Sequence, residues 1–311
     1  MFETTDQDST MTDVREQAAV LALVAHSRLS WSQVAALIEG AGSALRLVRR
    51  DWSGFEPFEV QEANMLGHVR DDDVDAYVRL IEELAADGVK LLTVLDEGYP
   101  RNLRQVYDRP PFLFIRGQLV PEDERAVAVV GTRRASERGL EQASTLAREL
   151  AQRDVTVLSG LALGIDGTAH EAALEAGGRT VAVMGTGITR IYPKAHEELA
   201  RRIVGQGALV SQFWPDSPPT KISFPMRNAV MSGMAIGTVV IEAASKSGAK
   251  MQARLALEHG KLLFLVKDLV MQEDWARRYA EHPATTVVED VEDVLDVLSA
   301  MAQPVEQLTL G

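Results

Sequence analysis

The chain has 311 residues, of which 46% are hydrophobic and 25% charged, and it contains no cysteine and carries a formal net charge of −13. The lack of cysteine excludes disulfides, thiolate catalysis and cysteine-ligated metal sites. No apolar run approaches the roughly 18–20 residues that a membrane span needs. We therefore expect a cytoplasmic protein with no contact with a membrane, long enough for two domains.

The charge is unevenly distributed along the chain. Residues 126–270 carry a small excess of basic over acidic side chains, whereas the remainder is strongly acidic. Such asymmetry between segments indicates an electrostatic preference for partners. The central region is therefore predicted to accept an anionic partner that the acidic flanks would repel.

The first part of the chain predicts helices. Residues 1–13 are acidic and polar, unlike a secretory signal peptide, and are predicted as a disordered leader. Apolar residues then recur at helical spacing and predict a small helical domain over residues 14–88. Residues 89–125 are predicted as an extended segment and linker, with short strands at Leu91–Leu95 and Phe112–Ile115.

The run AVAVVGTRR, residues 126–134, predicts the first crevice of an open α/β sheet. A continuous apolar run is typical of a parallel strand that is buried on both faces. Gly131 at its end lets the backbone turn sharply and approach a ligand, and the following helix presents unpaired N–H groups there. Arg133 adds guanidinium donors that suit phosphate. The run therefore predicts an anion-binding site.

The same alternation of strand and helix continues to residue 268. It predicts an α/β fold, a Rossmann-like doubly wound and mainly parallel sheet over residues 126–268. A short α/β segment follows, the acidic residues 269–311, with one strand and one amphipathic helix whose role is left open. The predicted strands of the main sheet are Val127–Val130, Val155–Leu158, Thr180–Met184, Ala208–Ser211, Thr238–Ile241 and Leu262–Val266.

Ligands of such sheets bind beyond the carboxyl ends of the strands, so the loops there supply the candidate site. These loops are rich in glycine, hydroxyl, amide and guanidinium groups, which suit phosphate. The predicted phosphate-binding residues are Gly131, Thr132, Arg133, Ser159, Gly160, Gly185, Thr186, Gly187, Arg227 and Asn228. Candidates for orienting the ligand are Glu242, Ser247 and Gly248, and candidates for stacking on bases are Tyr192 and Trp214.

Other features of these loops point away from catalysis. The sequence shows no nucleophile–base pair, no pair of facing carboxylates, and no GxGxxG or P-loop motif. Asp166 is expected to cap a helix, and His170 to be packed in the core. We therefore predict no catalytic residue, no metal site and no cofactor.

In order and spacing, the loops resemble the Rossmann-type domain of the DNA-processing protein A (DprA/Smf) family. The matching motifs are GTRR, SGLALGIDGTAH, GGRTVAVMGTGITRIYP, LVSQF, FPMRNAVMSG and VVIEA, preceded by DEGYPRNLRQVYDRPPFLFIRG. The resemblance implies a homodimer that binds single-stranded DNA at the basic pocket. It also implies a role in natural transformation, with loading of a RecA-type recombinase onto the DNA. The residues to which it assigns phosphate or nucleotide contact are Gly131, Arg133, Ser159, Gly160, Thr186, Gly187, Arg227 and Asn228.

The chain departs from the family pattern at several positions. Leu163 and Ala229 stand where the family usually has basic residues, and Lys267-Asp268 stands where Pro-Gly is expected. Each lost phosphate contact lowers the affinity for DNA and makes that affinity less sensitive to salt concentration. Two alternatives therefore stay open: a sensor or hydrolase of a nucleotide or nucleotide derivative that uses the same pocket, and an assembly module whose acidic ends recruit a partner.

Overall fold

A computed structural model describes residues 13–302 of the chain. The predicted disordered leader lies outside these residues except for Asp13, whose carboxylate accepts a hydrogen bond from the Arg15 amide and caps the first helix. Five helices follow: α1 (Val14–His26), α2 (Trp31–Ala41), α3 (Ala44–Val48), α4 (Pro57–Ala63) and α5 (Asp71–Ala86). Helix α1 is buried from Gln17 to Val24, because α3, α5 and the sheet pack around it.

The described residues form one sheet of nine strands in the order β1-β2-β6-β5-β4-β3-β7-β8-β9. The strands β1 and β2 are antiparallel to their neighbours, and β3 to β9 are parallel. The Rossmann-like, mainly parallel sheet expected from the sequence is therefore confirmed. The strands are β1 (Val89–Thr93), β2 (Phe112–Gly117), β3 (Ala126–Val130), β4 (Thr156–Ser159), β5 (Thr180–Val183), β6 (Ala208–Ser211), β7 (Gly237–Val240), β8 (Leu262–Val266) and β9 (Thr285–Val288).

Helices cover both faces of the sheet. One face carries α1 to α5 together with α9 to α11, and the other carries α7, α8 and α14. All five residues of β3 are buried, as expected for a β-branched run between two helical layers. The remaining helices are α6 (Arg101–Arg104), α7 (Glu137–Gln152), α8 (Ile165–Glu175), α9 (Glu197–Gln206), α10 (Ser223–Met234), α11 (Gly248–Glu258), α12 (Lys267–Gln272), α13 (Asp274–Ala280) and α14 (Val291–Ala302).

Residues 89–125 are more than a connection between two parts of the chain. Their strand β2 pairs with β6, for example Phe114 with Ser211, and β1 pairs with β2. The side chains from Phe112 to Ile115 are all buried, and they belong to the same hydrophobic core as Leu21 of α1. A shared core thus joins the N-terminal helices to the sheet, and backbone hydrogen bonds join β1 and β2 to β6.

The C-terminal segment packs on the sheet. Strand β9 extends the parallel sheet next to β8, and α14 buries Val291, Val294, Leu295 and Leu298 against the face that carries α7. These four side chains form the apolar face that the sequence left without an assigned role. Within residues 13–302, no helix has the length and apolar character required to cross a membrane.

Replacement of Leu295 by alanine tests this packing. Loss of a buried leucine side chain leaves a cavity, and we expect the free energy of unfolding to fall by about 2–4 kcal/mol in urea denaturation. The neighbouring Asp296 is exposed, so Asp296→Ala should change it by less than about 0.5 kcal/mol. Equal, small effects of the two substitutions would contradict the docking of α14.

Candidate functional site

A cavity of about 340 Å³ opens at the carboxyl ends of the central strands. It lies between the loop after β3, the start of α8, helix α10 and the start of α11. Seven of the predicted site residues line it together with several that were not predicted. The predicted ones are Gly131, Thr132, Arg133, Arg227, Asn228, Ser247 and Gly248, and the others include Arg134, Ala162, Asp166, Phe224, Met231 and Gln252.

A smaller cavity, of about 40 Å³, adjoins the main cavity. The two share Arg133, Ala162 and Phe224 as lining residues. The small cavity also receives four predicted site residues and one exposed leucine, which are Gly160, Gly185, Thr186, Tyr192 and Leu163. The two cavities thus form one continuous surface around Arg133 and Phe224.

Phe224 is the central aromatic residue of this surface and was not among the predicted site residues. The guanidinium carbon of Arg133 lies 5.0 Å from the centre of its ring, and that of Arg227 lies 6.0 Å away. Arg133 is exposed, whereas Arg227 is buried. Phe224 lies three positions before Arg227 on a helix, and residues at that spacing share a face. This spacing is the sequence signal that could have identified Phe224 as a neighbour of Arg227.

Arg227 binds the ends of two strands. Its Nη1 donates to the carbonyls of Gly160 and Val183, the latter at 2.7 Å, and its Nε donates to Asn228 Oδ1 at 3.0 Å. Burial lowers the pKa of Arg227, the Asp166 charge opposes this shift, and Arg133 adds to it. A Cβ on Gly160 would lie only 2.0 Å from Arg227 Nη1, so any larger residue there would displace the guanidinium group from its present position. Arg227 therefore acts mainly as a scaffold of the site.

Asp166 uses the backbone amides that were predicted to hold phosphate. Its Oδ2 accepts a hydrogen bond from Gly160 N–H at 3.1 Å, and bonds from the amides of Ala162 and Gly131 also favour the charged form. Burial nevertheless raises the pKa of Asp166, with Arg227 opposing it. The expectation that Asp166 caps its helix was wrong, because Gly164 is the N-cap of α8. The carboxylate instead ties the loops after β3 and β4 together.

Two predicted phosphate ligands face away from the cavities. Ser159 is fully buried, and its hydroxyl donates to the Val129 carbonyl at 2.7 Å. The Gly187 amide donates to the Ser217 carbonyl at 2.9 Å, and a Cβ at Gly187 would lie 2.1 Å from the Pro215 carbonyl oxygen. Ser159 thus joins β4 to β3, and Gly187 holds its loop against residues 215–217. In the described structure neither residue lines a cavity of the site.

Two further predicted site residues, Glu242 and Trp214, make structural contacts away from the two cavities. Glu242 was predicted to orient the ligand, but its Oε2 accepts from the Ser136 amide at 3.0 Å and the Ser136 hydroxyl at 2.8 Å, at the start of α7. Trp214 was predicted to be exposed for stacking on bases. It is instead packed between Tyr77 of α5 and Phe112 of β2, with ring centres 5.7 and 5.3 Å away, because the N-terminal helices cover it.

Tyr192 remains the accessible aromatic candidate among the predicted pair. It is 45% exposed, and its ring centre lies 6.1 Å from that of Phe224. The Thr186 hydroxyl below it donates to the Arg190 carbonyl at 2.6 Å, so this threonine shapes the loop that carries Tyr192. The small cavity therefore combines two aromatic rings with the Arg133 guanidinium.

His170 lies buried behind the site, as expected for a core histidine. Its Nδ1 is 2.6 Å from the Thr180 hydroxyl, which itself donates to the Val157 carbonyl, so the imidazole N–H donates to Thr180. Burial lowers the pKa of His170 from 6.5 to about 3, and the charges of His196 and Arg227 add to the shift. The ring is thus neutral in the folded protein at neutral pH.

Replacement of Asp166 by asparagine should destabilise the site. The new amide group would place N–H donors against backbone N–H donors, and we expect a loss of about 1–3 kcal/mol in the free energy of unfolding. The matched control is Asp274→Asn, because Asp274 is exposed and pairs with Arg277 at the surface. Stability equal to that of the control would contradict the role assigned to Asp166.

The depressed pKa of His170 predicts a loss of stability in acid. In the unfolded chain His170 binds a proton below about pH 6.5, whereas in the folded protein it does so only below about pH 3. The stability that comes from this difference in pKa is therefore present above pH 6.5 and is lost as the pH falls toward 3. Between pH 7.5 and 5.5, urea denaturation should show a loss about 1.4 kcal/mol larger for the unmodified chain than for His170→Gln. The glutamine amide can still donate to Thr180. Equal losses would show that His170 is protonated in the fold.

Comparison with known proteins identifies the family of the chain. The family model described as DNA recombination-mediator protein A matches residues 90–299. Protein Smf of Escherichia coli is 43% identical over 175 residues, which cover 56% of this chain and 47% of that protein. The chain spans between about half and two thirds of the length of the first curated relatives that it matches.

Two solved structures share the fold. The X-ray structure of DNA processing protein A from Streptococcus pneumoniae aligns with a TM-score of 0.69 and 26% identity, over 92% of this chain and 98% of that one. DNA processing protein A from Helicobacter pylori, solved in work on its single-stranded DNA binding mode, aligns with a TM-score of 0.61 and 27% identity, over 68% and 96%. The resemblance seen in the loop motifs is confirmed: the chain belongs to the DNA recombination-mediator protein A (DprA/Smf) family.

Proposed function

We propose that this chain binds single-stranded DNA on the surface formed by the two joined cavities. The observation that carries the proposal is the exposed Arg133 guanidinium on the Phe224 ring, at the junction of the cavities. A positively charged groove with aromatic rings is the usual way to bind single strands without reading their sequence. The Helicobacter pylori relative, whose structure was solved in work on its single-stranded DNA binding mode, supports the proposal.

The residues have different roles in this proposal. Arg133 and Arg134 are exposed cations at the rim and would contact phosphates, together with the hydroxyl group of Ser247. Asn228 lines the main cavity, but its amide group is bonded to Arg227 and to the Gly248 carbonyl. Bases would stack on Tyr192, next to Phe224, whose rings border the small cavity. Arg227 would act through its position behind Phe224, since its donors Nη1 and Nε are bonded to groups of the protein.

A sensor or hydrolase of a nucleotide derivative is the competing function. The main cavity, at about 340 Å³, lies in the size range of small-molecule sites. Hydrolysis needs a general base within reach of the attacking water. The Asp166 carboxylate binds backbone amides and that of Glu242 binds Ser136, so both are committed to structural contacts. Stabilisation by mononucleotides in a thermal-shift assay, without binding to oligonucleotides, would favour the sensor.

We also propose a cytoplasmic homodimer that takes part in natural transformation and acts with a RecA-type recombinase. The description of the family as a recombination mediator supports the recombinase partner. Light scattering tests the dimer, and a single 34.0 kDa species at micromolar concentration would rule it out. Delivery of the recombinase onto DNA is tested by strand-exchange assays with and without this protein.

Replacement of Arg133 by alanine tests the proposed function. Loss of one charge-assisted phosphate contact should weaken binding to labelled oligo(dT) about tenfold or more, measured by fluorescence anisotropy. The slope of log affinity against log salt concentration should become shallower by about 0.7.

The control for this substitution is Arg201→Ala. Arg201 is an exposed cation on α9 that pairs with Glu198, so its loss removes the same charge outside the site. It should leave both the affinity and the salt slope nearly unchanged. Failure of the unmodified chain to bind oligo(dT) at low salt, or equal effects of the two substitutions, would overturn the proposed function.

A further inference from the structure

An open cleft of about 380 Å³ adjoins the main cavity on the side of α11. Ser247 and Gly248 line both spaces, so the surface continues from one into the other. Tyr279 of α13 borders the far side of the cleft. None of the predicted site residues other than Ser247 and Gly248 belongs to this cleft.

Cations dominate the cleft. Lys246, Lys250 and Arg254 follow one another at intervals of four residues, which places the last two on one face of α11 with a rise of about 6 Å between them. The residues that line the cleft include no carboxylate within the described part of the chain. Glu258 approaches from the next turn and pairs with Arg254 at 2.8 Å. A net positive charge is therefore left along the cleft.

Tyr279 forms the far wall of the cleft, and the buried Trp275 supports it. The Tyr279 ring is half-buried and packs edge-on against Trp275, with ring centres 5.5 Å apart. The ammonium group of Lys250 lies 5.9 Å from the Trp275 ring centre, and the indole N–H of Trp275 donates to the Ala243 carbonyl at 3.2 Å. The wall is thus fixed to the core, whereas Lys246 is exposed on the loop before α11.

We propose that this cleft is a second phosphate-binding subsite, which receives the continuation of a DNA single strand held in the main cavity. This inference rests on the proposed function. An open cleft lined by two lysines and an arginine suits a flexible polyanion better than a small ligand, because ligand pockets bury most of their ligand's surface. The shared residues Ser247 and Gly248 give the strand a path from the first site to the second.

A triple variant, Lys246→Gln, Lys250→Gln and Arg254→Gln, tests the subsite against oligo(dT) of increasing length, from roughly 4 to 20 nucleotides. The longest oligonucleotides should bind about tenfold or more weakly, with a salt slope shallower by about two units. The shortest ones, which occupy the main cavity alone, should bind as they do to the unmodified chain. Thermal unfolding should change little, because Lys246 and Arg254 are exposed, Lys250 is half-buried, and the pair of Arg254 with Glu258 lies at the surface.

The matched control removes three exposed charges elsewhere: Arg28→Gln, Arg201→Gln and Arg202→Gln. It should leave binding at every length nearly unchanged. Long oligonucleotides that bind the first triple variant with full affinity would overturn the subsite, while the proposed function would stand if Arg133→Ala still weakened binding. An equal loss at all lengths, or the same loss in the control, would indicate a general effect of charge and also overturn the subsite. If the unmodified chain bound no oligonucleotide, both proposals would fall.

Discussion

The site depends on one buried guanidinium group. Arg227 ties α10 to the ends of β4 and β5 through the carbonyls of Gly160 and Val183, and it sits below the ring of Phe224. A buried arginine is costly unless its donors find acceptors, and here carbonyl and amide oxygens supply them. Asp166 lies nearby and ties the adjacent loops to the same point through their amides. The exposed cations are thus held on a rigid base.

This arrangement separates the residues that build the site from those that can reach a ligand. The buried pair of Arg227 and Asp166 fixes the loops, and Arg133, Arg134 and Tyr192 extend from them toward solvent. Loss of a buried member is therefore expected to affect folding first, whereas loss of an exposed member affects binding first. Arg133 is therefore a better position than Arg227 for a test of binding, because its loss leaves the fold intact.

The distribution of charge over the fold supports a path through the middle of the sheet. Helix α5, which begins with three aspartates, packs beside the edge strand β1, and the acidic helix α14 follows the opposite edge strand β9. The basic residues lie in the loops after the central strands β3 and β7 and at the start of α11. A polyanion that is repelled at both edges is guided toward the centre. The proposed binding of DNA is therefore compatible with a net charge of −13.

Much of the fold was predictable from the sequence, because its signals are local. The buried run before Gly131 and the alternation of strands with helices predict the parallel sheet, and the loop motifs predict which strand ends carry the site. The orientation of individual side chains was not predictable.

Ser159 and Trp214 have suitable chemistry at suitable positions, yet one bonds a neighbouring strand and the other is covered by helices that lie more than a hundred residues earlier. Phe224 is not a predicted site residue, because its importance comes from the two arginines that meet at its ring.

A crystal structure of the chain with bound oligo(dT) tests the central claim most directly. The account predicts a phosphate within hydrogen-bonding distance of the Arg133 guanidinium and a base against Tyr192 or Phe224. An ordered strand that lies elsewhere on the molecule and leaves Arg133 in solvent would contradict it.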